Sequence, residues 1–305
     1  MMRNVNVNEQ QNQQSCQTSV MVSADLINKI HNENCLETMA KMPDNFIDLT
    51  VTSPPYDGLR DYKGYSFLFE EIAKELYRVT KEGGVVVWVV GDETKNFCET
   101  LTSFKQAILF TECGFKLLDT MIYLKSGYAP AYPTLRRYAN QFEYMFVFSK
   151  GKPKTFNPVQ VDKTELTKLR QVNKMPSTFR QKDGTTIKKN TQNFNEKKSA
   201  SNVWRLITGT NGHSDKIAFQ HPATFPEQLA TDHINSWSNE NDLVYDCFMG
   251  SGTTAKMSII NNRNWIGSEI SNEYCNIIEE RIKKAWEEKR KEKDLQAGTL
   301  FGNEM

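Results

Sequence analysis

The chain is short of the features that would place it outside the cytoplasm or build it around a metal. Its six cysteines (16, 35, 98, 113, 247 and 275) are widely spaced, with no CxxC pair among them. That spacing argues against a disulfide framework or a zinc module and implies a reducing compartment. Long apolar runs are also missing. The longest strongly apolar stretch, residues 85–90, is far too short to cross a bilayer. The first twenty residues carry Asn and Gln where a secretory leader needs a basic start and an apolar segment. A soluble, cytoplasmic protein with no metal site is the expectation. Net charge is nearly absent, at +1, but it is unevenly spread: residues 150–198 hold 11 lysines and 2 arginines against 4 acids, so +9, leaving −8 on the remainder. An acidic body with a basic insert suits a polyanionic partner.

What is present alternates between helix and strand. Residues 1–20 lack hydrophobic periodicity and read as a disordered tail. Residues 25–40 read as strand, polar turn and helix, and residues 46–52 as a buried strand. Residues 65–79, apolar at 68, 69, 72, 76 and 79, read as a helix closed by Gly83-Gly84. The continuous run at 85–90 suits a strand buried on both faces. A helix over 101–113, strands over 115–125 and 141–149, and a helix over 227–237 follow. Then come a strand over 243–245, a glycine loop, a helix over 253–260 and a strand over 265–269. Residues 272–296 put Tyr274, Ile277, Ile278, Ile282, Ala285 and Trp286 on one face of a docking helix. This alternation predicts a doubly wound, mostly parallel α/β sheet. Residues 150–202 read as a smaller, loop-rich basic lobe packed on the sheet domain, with Phe156, Phe179 and Phe194 as its anchors.

Two stretches carry chemistry. In Thr52-Ser53-Pro54-Pro55-Tyr56, consecutive prolines fix φ twice and remove two donors, so a buried strand must end there. The result is a stiff loop offering a hydroxyl, free carbonyls and a ring at the sheet edge, where open α/β sheets bind ligands. In the second stretch, residues 246–254, Gly250 and Gly252 let the backbone approach a ligand. Glu269 ends the next strand 19 positions after Gly250, a spacing that suits a carboxylate accepting from ribose hydroxyls. No Lys-Ser/Thr pair follows the glycines in Walker fashion, which argues against ATP or GTP hydrolysis.

Ser53-Pro54-Pro55-Tyr56 together with residues 246–254 resembles the S-adenosylmethionine-dependent DNA methyltransferases that act on exocyclic amines. The order of SPPY, basic insert and glycine loop is similar to the beta class of that family. His221-Pro222 with Phe225-Pro226 resembles its additional cofactor-side motif. The resemblance covers residues 25–290 and implies a seven-stranded methyltransferase sheet. It implies two halves, a catalytic one over 21–149 and a cofactor-binding one over 203–296, flanking target recognition at 150–202, with a tail over 297–305. It further implies that Ser53, Pro54, Pro55 and Tyr56 are catalytic. Asp246, Phe248, Gly250, Gly252, Thr253 and Glu269 would bind S-adenosylmethionine. Asn34, standing where relatives often show Gly-Asp, is the adenine-side candidate.

Methylating a base amine develops positive charge on nitrogen, and acceptors such as Ser53 Oγ and the Pro54 carbonyl stabilise it. The base must leave the stack, and Tyr56 offers it a π face. By family habit Ser at the first motif position accompanies cytosine-N4 methylation, with adenine-N6 as the alternative. Duplex DNA is the implied partner, with Lys188, Lys189, Lys197 and Lys198 as phosphate contacts. Arg136, Arg137 and Tyr138 either face DNA or brace the sheet. A monomer or homodimer is implied, in a restriction-modification setting with an endonuclease acting on the same site. The rival readings are a catalytically inactive DNA-binding module and a methyltransferase for RNA or protein glutamine.

Overall fold

The computed structural model describes residues 25–55, 68–127, 136–164, 177–189 and 196–301. Among them, eight strands form one sheet. In chain order these are β1 (Lys29–His31), β2 (Ile47–Thr52), β3 (Thr80–Val90), β4 (Lys116–Lys125), β5 (Phe142–Ser149), β6 (Val203–Leu206), β7 (Leu243–Asp246) and β8 (Asn264–Ser268). The helices are α1 (Cys35–Ala40), α2 (Phe69–Val79), α3 (Thr102–Glu112), α4 (Glu227–Trp237), α5 (Thr253–Ile260) and α6 (Asn272–Phe301). The spatial order is β1-β8-β7-β2-β3-β5-β4-β6. All neighbours run parallel except at β5, which is antiparallel to both β3 and β4. The sheet therefore has one strand more than the expected seven. The addition is β6, an edge strand parallel to β4, whose four residues are too few to show a period.

The apolar run of β3 is buried along its length because both faces of the sheet are covered. Val86, Trp88 and Val90 point into one core with Ile72, Leu76, Phe110 and Phe148, under α2 and α3. Val85, Val87 and Val89 point into the other with Leu229, Ile234 and Met257, under α4 and α5. Period-two alternation thus sends every other residue to each face. Trp88 also needs a partner for its indole N–H and donates it to Gln106 Oε1 at 2.8 Å.

Gly83 and Gly84 do not close α2. The helix ends at Val79, and both glycines lie inside β3, where pairing with β2 shifts register between Ile47 and Leu49. Gly83 adopts φ +79°, and a Cβ on Gly84 would meet Thr80 Cγ2 at 2.8 Å. They mark an irregularity in a strand, the other common use of glycine. The docking helix α6 runs past the expected residue 296 to Phe301. No helix among the described residues is long and apolar enough to cross a membrane.

Residues up to Phe156 and from Asn202 onward form one compact unit, and Asn157–Ser201 form a second. The segment at 150–156 packs within the first. Lys150 Nζ donates to Asn45 Oδ1 and to the carbonyls of Tyr77 and Thr80. Phe156, expected to anchor the basic lobe on the sheet domain, stacks on Trp237 of α4 at 4.7 Å, inside the first unit. Within the second unit, two short antiparallel ribbons pair Gln160–Asp162 with Lys197–Ser199 and Ser177–Arg180 with Thr186–Lys189. Phe194 lies outside the described residues, as does the side chain of Phe179.

Candidate active site

β7 and β2 run parallel, but the order in which the chain adds strands reverses between them. From β7 it crosses through α5 to β8 on one side, and from β2 through α2 to β3 on the other. Open α/β sheets bind ligands at such a switch point, beyond the carboxyl ends of the strands. A cleft of about 710 Å³ lies there, lined by Ser53, Pro54 and Pro55 after β2, by Phe248, Gly250, Ser251 and Thr253 after β7, and by Glu269 after β8. Two stretches almost two hundred residues apart in sequence are therefore brought together. Tyr56 lies outside the described residues.

A buried hydrogen bond ties the two stretches. Thr52 Oγ1 donates to Asp246 Oδ1 at 2.6 Å, and the same oxygen accepts the Phe248 N–H at 3.1 Å. Asp246 is 1% exposed and does not line the cleft. Burial pushes its carboxyl up to about 6, and among the described residues its Oδ2 has no hydrogen-bond partner. Asp246 thus joins the ends of β2 and β7 from behind.

The glycine loop follows from backbone sterics. Gly250 and Gly252 adopt φ +54° and +81°, and their missing Cβ atoms would lie 3.2 Å from the His221 ring and the Ile278 side chain respectively. Glu269 holds the loop from the next strand: Oε2 accepts the Gly250 N–H and Oε1 the Ser271 N–H, both at 2.9 Å. Burial raises its carboxyl above the usual carboxylate range. Each oxygen keeps a second lone pair, so the carboxylate still has acceptor capacity toward a ligand. His221 stands edge-on to Tyr274 at 4.3 Å, and both rings line the cleft.

Asn34 is placed differently from its neighbours. Glu33 and Cys35 line the cleft, whereas Asn34 is the N-cap of α1, its Oδ1 accepting the Leu36 N–H at 2.9 Å. Gly252, like Asp246, does not reach the lining. Arg137 donates to Glu99 at 3.1 Å, and Tyr138 is 96% exposed. In the second unit Lys188, Lys197 and Lys198 are exposed, and the side chain of Lys189 lies outside the described residues.

A buried ionic cluster behind the glycine loop was not anticipated. Lys256 of α5 donates to Ser214 Oγ and Asp215 Oδ2, each at 2.6 Å, and to Glu227 Oε1 at 2.9 Å. Arg281 of α6 donates to the same two carboxylates, and its Nη1 also donates to the Ser251 carbonyl at 2.6 Å and Thr253 Oγ1 at 3.1 Å. Burial alone would raise the Asp215 carboxyl, and its contacts with Lys256 and Arg281 outweigh it, holding it down to about 2. A signal was available: Arg281 interrupts the apolar face of α6 between Ile278 and Ile282. A cation there requires buried partners.

The fold and cleft define an α/β methyltransferase-type protein. The PvuII DNA methyltransferase (cytosine-N4-specific) superposes with a TM-score of 0.61 at 21% identity, over 83% of this chain and 85% of that one. The M1.HpyAVI–SAM complex does so with 0.54 at 23%, over 83% and 98%. A family model described as DNA methylase matches residues 47–280. In sequence, the orphan methyltransferase M.BamHII of Bacillus amyloliquefaciens is 57% identical over 245 residues, covering 79% of this chain and 90% of that protein. The chain belongs to the DNA methylase family, in the beta class of exocyclic-amino methyltransferases.

Proposed function

We propose that the protein transfers a methyl group from S-adenosylmethionine to the N4 amine of cytosine in duplex DNA, at a specific sequence. The observation that carries this is the meeting of the Ser53-Pro54-Pro55 stretch with the glycine loop across one cleft, tied by the Thr52–Asp246 hydrogen bond. Gly250, Phe248 and Thr253 cradle the cofactor, and Glu269 takes its ribose hydroxyls. The bound cofactor supplies an electrophilic methyl group.

The residues after β2 hold the other reactant. Ser53 Oγ and the Pro54 carbonyl accept from the amine, favour its pyramidal form and stabilise the charge that develops on nitrogen. As the N–C bond forms and the S–C bond breaks, nitrogen gives up one proton to solvent. Pro54 is buried and Pro55 partly so, so the acceptors are held rather than recruited, and proximity supplies much of the rate. Tyr56 receives the face of the extruded base. In the Asn157–Ser201 unit, lysines 188, 189, 197 and 198 contact phosphates and other polar side chains read base edges.

Ser53 favours cytosine over adenine. A restriction-modification setting would add an endonuclease blocked by this methylation. The 57%-identical relative is named an orphan methyltransferase, which favours an enzyme acting without one. Nucleoside mass spectrometry of DNA reacted with the enzyme and labelled cofactor tests the reading. N4-methylcytosine is the expected product, N6-methyladenine would move the assignment to the other base, and no label in DNA would overturn it.

A further inference from the structure

The cleft extends beyond the residues assigned so far. Its wall on the side of β3 away from the glycine loop is formed by Tyr123 and Lys125 of β4 and Glu143 of β5. Because β5 is antiparallel, its beginning lies at the edge where the parallel strands end; Glu143 is opposite Tyr123 in the register and so diagonal to Lys125, the last residue of β4. Lys125 Nζ and Glu143 Oε1 are 2.7 Å apart, with side chains 29% and 17% exposed.

Three observations give this pair a ligand. Among the described residues lining the cleft, Lys125 is the one lysine or arginine. It stands on the half that holds Ser53 and Pro54, across β2 from β7 and β8 in the strand order. An ion pair on a cleft wall also adds little to stability, while an ammonium has three donors, of which Glu143 takes one and fixes the direction.

We propose that Lys125, oriented by Glu143, donates a hydrogen bond to the ring acceptor beside the exocyclic amine of the extruded base. In cytosine that acceptor is N3, with O2 next to it. This rests on the reading that the acceptor is an amino base. The chemistry is complementary: once Ser53 and Pro54 accept from the amine, the atoms left on that edge are acceptors and require a donor. A pyrimidine lacking the ring nitrogen, or turned over in the cleft, leaves one desolvated donor of that ammonium unpaired. Lys125 is thus a base-recognising residue, and Glu143 positions it.

The test pairs a change in the protein with a change in the base. Methylome sequencing with the wild-type enzyme defines the site, and duplexes are made carrying cytosine or 3-deazacytosine there, the analogue having C–H in place of N3. If the product is methyladenine, 1-deazaadenine serves the same purpose. Single-turnover transfer is measured for wild type, Lys125→Met, Lys125→Leu and Lys125→Arg. Thermal unfolding and calorimetric cofactor binding are measured in parallel. Removing one hydrogen bond to a charged donor predicts that wild type favours the natural base by roughly 10- to 100-fold more than a variant with no donor at this position. Comparing ratios cancels the intrinsic effect of the analogue on the amine. In Lys125→Met and Lys125→Leu the preference falls to the intrinsic ratio of the two bases with cofactor affinity unchanged, and Lys125→Arg retains it. An unchanged preference in either apolar variant overturns the proposal. If Lys125→Met fails to fold, Lys125→Leu decides. Absence of transfer by the wild type overturns the parent reading instead.

Discussion

The two ends of the cleft are built on opposite plans. At the cofactor end, nearly every polar group is committed to another part of the protein before any ligand arrives: Glu269 to two backbone amides, Asp246 to Thr52 and Phe248, and Arg281 to the Ser251 carbonyl. At the acceptor end, Lys125 and Glu143 are paired with each other, but they and Ser53 stand partly exposed on the wall. The cofactor is the same small molecule in every turnover, so a rigid cradle carries no penalty and loses little entropy on binding. The base arrives from a duplex after extrusion, and its site must stay accessible. Substitutions at the first end should therefore change cofactor affinity and stability together. Those at the second should change rate and base preference alone.

The largest break is Gly252→Asp. The residue has φ +81°, its Cβ would press on Ile278 at 3.2 Å, and the loop is packed so that neither can relax freely. Left-handed backbone costs a side chain about 1–2 kcal/mol even without a clash. Calorimetry should show no measurable cofactor binding, with methyl transfer lost in proportion. Survival of cofactor affinity would make the glycine-loop assignment wrong.

Arg281→Met comes next. Arg281 is fully buried and shares Asp215 and Glu227 with Lys256. Removing it leaves two largely covered carboxylates, 14% and 12% exposed, facing one ammonium, and frees the Ser251 carbonyl. Breaking such a cluster from one side costs about 3–5 kcal/mol, read as a lower midpoint of thermal or urea unfolding. Cofactor affinity falls with it because the loop loses its tether, whereas the preference for cytosine over 3-deazacytosine stays at the wild-type value. A variant that kept full cofactor affinity would show that the loop does not need this anchor.

How far the sequence foretold these two ends differs for a physical reason. Local signals were sufficient where one residue type dictates backbone geometry. Pro54-Pro55 ends a strand whatever surrounds it, and Gly250 and Gly252 permit left-handed turns. The six-residue run at 85–90 needs cover on both faces. The short strand Val203–Leu206, the use of Gly83-Gly84 inside β3, and the cluster around Arg281 all depend on partners distant in the chain. Asp215 and Arg281 are 66 residues apart: the apolar face of α6 says that Arg281 needs a covered partner, but not that the partner is Asp215. Phe156 stacks on Trp237 of the sheet unit, as an anchor should, but composition alone set the lobe's start at residue 150, and the chain up to Phe156 belongs to that unit.

The smallest effect on stability, and the sharpest on the comparison, belongs to Ser53→Ala. Ser53 lies one residue beyond β2 and is partly exposed on the cleft, so losing its hydroxyl opens no large cavity and leaves the Thr52–Asp246 tie in place. Unfolding should shift by less than about 1 kcal/mol. The hydroxyl is one of two acceptors proposed for the amine, and the Pro54 carbonyl remains. Transfer in a single turnover should therefore slow by roughly 10- to 100-fold rather than stop, below the loss on removing a sole electrostatic contact to a developing charge. Cofactor affinity should stay within about twofold, since Ser53 belongs to the other end. A drop in cofactor affinity as large as the drop in rate would mean that the two ends are one coupled unit, and the division between a buried half and a partly exposed half would have to be given up.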